Sequence, residues 1–129
     1  MKVFLDTNVW LSATIFSGLC EELVLIGAER GELYSSLLIQ LEAHEVLRRK
    51  FPKILNACDL FDASFQAAQL IADCAEPAND NDRRLVTAAQ TAGVNLFVTG
   101  DKRVLGWAAT GISGSLKIVS PREAWTVLT

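Results

Sequence analysis

Two carboxylates, Asp6 and Asp101, stand just beyond short apolar runs. Asp6 ends Val3-Phe4-Leu5 and leads into Thr7-Asn8, while Asp101 follows Leu96-Phe97-Val98 through Thr99-Gly100. Such runs read as strands buried on both faces. If both strands are central in a parallel sheet, their carboxyl ends open onto one crevice, where sheets of this kind bind ligands. For either Asp alone the competing reading is a cap on the following turn. A third acid, Asp82, opens a helix and precedes Leu85, Val86 and Ala89 at helical spacing, so it points along the face that meets the sheet. It too has a capping reading, which Asp80, Asn79 or Asn81 would fill equally well. On a longer helix, Glu42 lies one turn after Leu38 and one turn before Val46, and Glu45 is nearly as well placed beside Leu41. Helical spacing does not choose between them.

Acids brought together raise one another's pKa and strain the fold. A hard divalent cation removes that cost, and an all-oxygen donor set selects Mg²⁺ or Mn²⁺ over zinc. The lone histidine, His44, and three scattered cysteines, Cys20, Cys58 and Cys74, build no zinc site, and His44 is expected to be solvated on its helix. Metal ions in a carboxylate cluster suit phosphodiester hydrolysis, because they activate water and stabilise the leaving oxygen. Basic residues flank the acids: Arg83 and Arg84 follow Asp82, and Lys102 and Arg103 follow Asp101. Arg48, Arg49, Lys50 and Lys53 gather at the end of the long helix. These are either solvated faces and helix-end charges or holders of flanking phosphates, which confer affinity rather than sequence choice.

The elements that must position these groups follow from the same chain. Cys20 to Ala28 is expected to be helical and closed by Gly31, with Leu33-Tyr34 a weak strand beyond it. Ser36 is expected to cap a helix running to about Lys50, stopped by Phe51-Pro52. Further helices are expected near residues 53–60 and 62–74, then a loop over Pro77 to Asp82 and a helix from Arg83 to Ala92. Leu116 to Val119 reads as a last strand, and Pro121 opens a terminal helix through Leu128. Strands alternating with helices imply a parallel sheet covered on both faces.

A length of 129 residues is one domain's worth, and 50% hydrophobic with 21% charged residues excludes a disordered chain. The formal net charge of −3 and pI of about 5.1 exclude a protein that holds nucleic acid by bulk positive charge. Metals on gathered acids would reverse that sign locally. The cysteine pattern is that of reduced thiols in a cytoplasmic protein. The early acid at Asp6 argues against a signal peptide, and no apolar stretch approaches the ~20 residues that cross a membrane.

In combination the motifs resemble those of PIN-domain ribonucleases. Val3-Phe4-Leu5-Asp6-Thr7-Asn8-Val9 is similar to that family's opening strand and turn. Ser36 to Phe51, with Glu42-Ala43-His44-Glu45-Val46-Leu47-Arg48-Arg49, resembles its second acidic helix. Asn79-Asp80-Asn81-Asp82 resembles its third acidic position and Val98-Thr99-Gly100-Asp101-Lys102 its fourth. Ile118-Val119-Ser120-Pro121-Arg122-Glu123 is similar to its closing strand and helix. The order and spacing agree over essentially the whole chain, and the branch resembled is that of VapC-like toxin components of toxin–antitoxin pairs. The resemblance implies a single PIN domain over residues 1–129, with a three-layer α/β/α architecture and a central parallel sheet of four to five strands. It implies an Mg²⁺-dependent endoribonuclease, Mn²⁺ also serving, that leaves a 5′-phosphate and a 3′-hydroxyl. Asp6, Glu42, Asp82 and Asp101 would be the catalytic metal-binding acids, and counting from Ser36 selects Glu42 over Glu45. Asn8 and Thr99 would support them, and Arg83, Arg84, Lys102 and Arg103 are candidate RNA contacts. Family members often carry more acids where this chain has Asn79 and Asn81. The implied partners are RNA, a small antitoxin and a second copy of the chain, with Trp107 or Trp125 at such a surface or packed as core residues.

Two rivals use the same residues. A phosphatase of the haloacid dehalogenase type also places a nucleophilic Asp after its first strand. It needs a second acid at the position of Asn8, and another where this chain has Leu105. A non-catalytic PIN-like module that binds RNA or protein has little reason to retain four mutually repelling acids.

Overall fold

The structure, a computed structural model, describes residues 1–110 and 114–129. Three short runs, β1 (Val3–Leu5), β2 (Leu33–Ser35) and β4 (Leu96–Val98), are joined by β5 (Lys117–Val119) and an edge strand β3 (Gln69–Leu70). All pair in parallel in the order β3-β2-β1-β4-β5. The central strands carry unbroken apolar sequence because helices cover both faces. Across the β1/β4 pair, Phe4 registers with Phe97 and the two rings stack at 5.4 Å.

The helices are α1 (Thr7–Ile15), α2 (Leu19–Arg30), α3 (Leu37–Lys50), α4 (Ala57–Phe65), α5 (Asn81–Thr91), α6 (Lys102–Gly106) and α7 (Pro121–Leu128), and one 3-10 turn spans Trp107–Ala109. The connections β1→β2 and β2→β3 step one way across the sheet, and β3→β4 and β4→β5 step the other way. Right-handed crossovers therefore set α1 to α4 on one face and α5 and α6 on the opposite face. The layers are α/β/α. On the first face α1 packs against α2, α3 and α4, with buried Trp10 edge-on to Phe61 at 5.8 Å and Phe65 at 5.5 Å. Helix α7 packs on α2 and against β4 and β5. Its start is the capping box Ser120/Glu123 with Pro121 in the first turn.

Glycine decides how closely α2 approaches the sheet. A Cβ on Gly27 would stand 2.6 Å from Leu33 Cδ2, so β2 packs against bare backbone at this point. The same helix ends at Gly31, whose left-handed φ of 65° turns the chain into β2.

Several expected elements differ. The turn expected after Asp6 is α1 itself, which begins at Thr7. The two helices expected near 53–60 and 62–74 are replaced by the single α4, followed by β3. Phe61 and Phe65 bury one helical face, but the next positions in that register are Ala68 and exposed Gln69, which leave nothing to hold another turn. The chain instead satisfies its backbone on the free edge of β2, where Ile71 N–H donates to the Ser35 carbonyl at 2.8 Å. Ser36 does stand at the N-cap of α3, yet its hydroxyl makes no capping bond. The Asp73 carboxylate accepts from Leu38 N–H at 3.1 Å and caps the helix from a distant segment.

Among the described residues no single helix is long and apolar enough to cross a membrane. Helices α1 and α2 together reach that composition but meet at a bend of 104°. Their apolar faces contribute Val9, Trp10, Leu11, Leu23 and Val24 to the core.

Candidate functional site

Connections leave in opposite directions from β1 and β4, so the sheet's switch point lies between their carboxyl ends. Asp6 occupies it. Its backbone N–H donates to the Val98 carbonyl at 2.8 Å, which continues the β1/β4 ladder. Its Oδ1 caps α1 by accepting from Thr7 N–H at 2.8 Å, and its Oδ2 accepts from Thr99 Oγ1 at 2.7 Å. The Asp6 side chain is buried, with only 5% of the residue exposed. Burial pushes its pKa up to about 6, against the lowering effect of the Thr99 and Thr7 hydrogen bonds, and the charges of Asp82 and Glu42 push further upward.

Helix α3 presents Glu42 to this point. Thr7 Oγ1 donates to its Oε1 at 2.6 Å and Asn81 Nδ2 to its Oε2 at 3.0 Å. Glu45 faces solvent at the rim and pairs with Arg49 at 2.8 Å. The choice that helical spacing left open is thereby placed: Glu42 is the inward acid.

Asp80, rather than Asp82, caps α5, accepting from Arg83 N–H at 3.3 Å. Asp82 is free to face the cleft. Burial raises its pKa, as does repulsion from Asp101, while Arg103 opposes the shift and Asp80 and Glu42 add to it. Arg103 lies 3.2 Å from Asp82 Oδ2 and 2.5 Å from Asp80 Oδ2, and this cation holds the Asp80 carboxyl below its ordinary range. Asp101 caps α6 through Arg103 N–H at 2.8 Å, and its own N–H donates to Thr99 Oγ1 at 3.0 Å.

Asp6, Glu42, Asp82 and Asn8 line one cleft of about 520 Å³, to which α3 adds Leu38, Leu41 and Val46 beside Glu42. Asp101 lies outside that lining and reaches the group through its repulsion of Asp82. Thr99 is fully buried beneath Asp6, and Asn8 is exposed at the cleft mouth. Of the four cations expected to contact RNA, Arg84 is turned inward. It donates to the Cys74 carbonyl at 2.7 Å and to Asn81 Oδ1 at 3.1 Å. Lys102 is exposed, while Arg83 and Arg103 lie over the Trp107 ring at 5.2 Å and 4.9 Å. His44 is not solvated as expected: it is half-buried, its Nε2 is 2.7 Å from Asp62 Oδ1, and its ring meets Phe61 edge-on. Trp125 is half-buried against the core, and all three cysteines are free.

Spacing did not reveal Thr7 and Asn81, the two donors that hold Glu42. Asn81 explains a departure from the acidic pattern. A neutral amide donates to Glu42 and accepts from Arg84, whereas a carboxylate there would still accept from Arg84 but would repel Glu42 instead of donating to it.

The donor chemistry fits a hard divalent cation: every candidate ligand atom is a carboxylate oxygen, and among the described residues the deepest carboxylate, Asp6, has no cationic partner. Among the described residues, no three His, Cys, Asp or Glu side chains converge as a ready coordination set. Glu42 is turned to Thr7 and Asn81, and Asp82 to Arg103, so these side chains would have to rotate to share an ion.

The fold and cleft define a three-layer α/β/α protein with an acidic pocket at its switch point. No protein-family profile and no curated protein matches the chain. Among solved structures it is similar to the crystal structure of PAE2754 from Pyrobaculum aerophilum, with a TM-score of 0.70 at 12% identity over 99% of this chain and 89% of that one. At that identity the likeness is one of fold.

Proposed function

We propose that the chain is a PIN-type endoribonuclease dependent on Mg²⁺ or Mn²⁺. One observation carries the reading most directly: a buried, cation-less Asp6 at the sheet's switch point, with Glu42 and Asp82 lining the same cleft. The five segments quoted above, four of them carrying the acids, support the family reading by resemblance. Asp6, Glu42 and Asp82 would hold the ion, with Asp101 supporting from beside Asp82. When bound, the ion would supply a polarised water and charge stabilisation at the leaving oxygen.

The chain's own residues do the rest. Thr99 and Thr7 each donate to one oxygen of Asp6 and fix its orientation. Thr7 and Asn81 hold both oxygens of Glu42 within the cleft. Arg103 neutralises Asp80 and Asp82, and it is near enough to transfer its donors to an incoming phosphate. As in the VapC-like branch that the motifs resemble, the role would be that of a cytoplasmic toxin, acting as a homodimer and restrained by a small antitoxin.

Cleavage of a labelled single-stranded RNA in Mg²⁺ or Mn²⁺, with wild type and Asp6→Asn purified identically, tests the reading. Cutting that disappears in the variant and in chelator supports it. Equal cutting by both preparations, or none by either, counts against it. A second reading, a PIN-like module that binds without cutting, is favoured by Arg103, which already supplies Asp82, one of the four acids, with a counter-charge. Hydrolysis of an aryl phosphate would instead favour the phosphatase.

A further inference from the structure

Among the described residues, Trp107 differs from Trp10 and Trp125 in the two cations that lie over its ring. Trp10 is fully enclosed in the core, whereas Trp107 is half-buried on the 3-10 turn that follows α6, with part of its ring against the core. Two guanidinium groups lie over that ring: Arg103 from the same helical segment at 4.9 Å, and Arg83 from the first turn of α5 at 5.2 Å. Placing two cations on one ring sets them against each other, and the quadrupole of the indole face attracts both.

The two arginines differ in how their donors are used. Arg103 is committed to Asp80 and Asp82. Among the described residues, Arg83 has no carboxylate within ion-pair distance. Its neighbour Arg84 points the other way, into the Cys74 carbonyl and Asn81. The adjacent cations in sequence therefore divide the work, Arg84 fastening the loop and Arg83 lying on an aromatic ring with its N–H groups unspent. This aromatic-cationic assembly adjoins the acidic cleft, since Arg103 pairs with Asp82, which lines it.

We propose that Trp107, with Arg83 and Arg103, is a stacking subsite for a nucleobase of a single-stranded nucleic acid running out of the acidic cleft. The base lies on the indole or on a guanidinium plane, and the guanidinium N–H groups meet the adjoining phosphate. The identity of the polyanion rests on the ribonuclease reading of the cleft; the stacking chemistry does not. Every base has a π-face, so the subsite accepts bases without reading their edges. A continuous duplex keeps its base faces occupied, so the subsite selects single strands, loops and ends. An acidic peptide would use the arginines but has no need of the indole.

The test is binding rather than cleavage. A short labelled single-stranded oligoribonucleotide is titrated into the full-length protein in chelator at low salt, followed by anisotropy and tryptophan quenching. Trp107→Ala should weaken binding about tenfold, while Trp107→Phe, which keeps a ring, should stay near wild type. Arg83→Gln should weaken binding and lower the salt slope by about one. Arg83 is on the first turn of α5 and is not among the core residues, so the substitution spares the core. The same sequence as a duplex should bind at least about tenfold more weakly. Unchanged affinity in a folded Trp107→Ala protein would overturn the proposal and leave Trp107 a packing residue. Equal binding of duplex, or preference for a polyglutamate peptide, would overturn it as well. Loss of cleavage with this binding pattern intact would remove the nuclease reading alone, and cleavage without it would remove the subsite alone.

Discussion

The Thr99 hydroxyl donates to Asp6 Oδ2 at 2.7 Å, and so ties the carboxyl ends of the two central strands through one buried hydrogen bond. Thr99 Oγ1 in turn accepts from the Asp101 N–H at 3.0 Å. Thr99 thus connects the deepest acid of the cleft to the backbone of the acid beyond β4. Thr99→Val keeps the shape and removes the donor. The Asp6 pKa should then rise further, read by carboxyl NMR titration. Stability should fall by about 2 kcal/mol where Asp6 is ionised, because a hydrogen bond to a charged group is lost. The loss should be smaller at lower pH, where Asp6 is protonated, and Thr99→Ser should restore much of it.

Asp6 also sets a pH dependence of defined sign. Its folded pKa of about 6 lies above the ordinary 3.8, so the native state binds more protons than the unfolded chain between those values. Stability is therefore fully present below about pH 4 and is lost as pH rises through about 6, by up to about 3 kcal/mol. Asp82, also raised, adds loss of the same sign. Asp6→Asn retains an N-cap residue and should flatten the profile, melting higher than wild type at neutral pH without metal. A wild-type melting temperature that climbs with pH over this window would contradict the buried, cation-less state of Asp6.

Arg103 competes with any ion for Asp82. Arg103→Gln should raise Mn²⁺ affinity severalfold, measured by calorimetry or by the free-ion EPR signal, since a resident positive charge is removed from two carboxylates. It should also move the Asp82 pKa further upward, because Arg103 now holds it down. Unchanged Mn²⁺ affinity would mean that the guanidinium stays clear of the ion's position.

Close packing at Gly27 makes a prediction independent of function. With Leu33 Cδ2 at 2.6 Å from the position of a Cβ, Gly27→Ala should destabilise the fold by about 1–3 kcal/mol despite alanine's better helix propensity. Denaturant melts of this variant beside wild type decide the sign, and a gain in stability would mean that the Leu33 side chain gives way without cost.

What the sequence disclosed and what it hid divide along physical lines. Strands β1 and β4 are apolar runs enclosed on both faces, so periodicity reports them and, with them, the acids at their ends. Strand β3 consists of exposed Gln69 and Leu70, held by backbone pairing with β2, and no side-chain pattern records that. Helix α1 was concealed by Thr7-Asn8, polar residues that look like a turn but complete the site: Thr7 donates to Glu42 while Asp6 caps the helix. The candidate acids were visible as residue types. The arrangement of Asn81, Arg84 and Arg103 around them depends on which side of α5 and α6 each faces across the chain, and local spacing does not carry that.

The start of α3 shows the same limit and yields a reversible test. By sequence, Ser36 is a cap residue in the right place, and its backbone does occupy the N-cap. Its hydroxyl is nevertheless buried without a hydrogen-bond partner, and the orphan N–H of Leu38 is met by Asp73, 35 residues away. Replacing Ser36 by Ala removes no capping bond and relieves a buried hydroxyl, so its effect on stability should be neutral to slightly favourable. Asp73→Ala should cost about 1 kcal/mol, the usual loss of a helix cap, and Asp73→Asn should recover most of it. Because Asp73 follows β3, amide exchange near Gln69 to Ile71 should quicken in the Asp73→Ala protein along with the first turn of α3. If Ser36→Ala proves the more damaging of the two, the serine hydroxyl caps the helix after all, and the segment after β3 is held by other contacts.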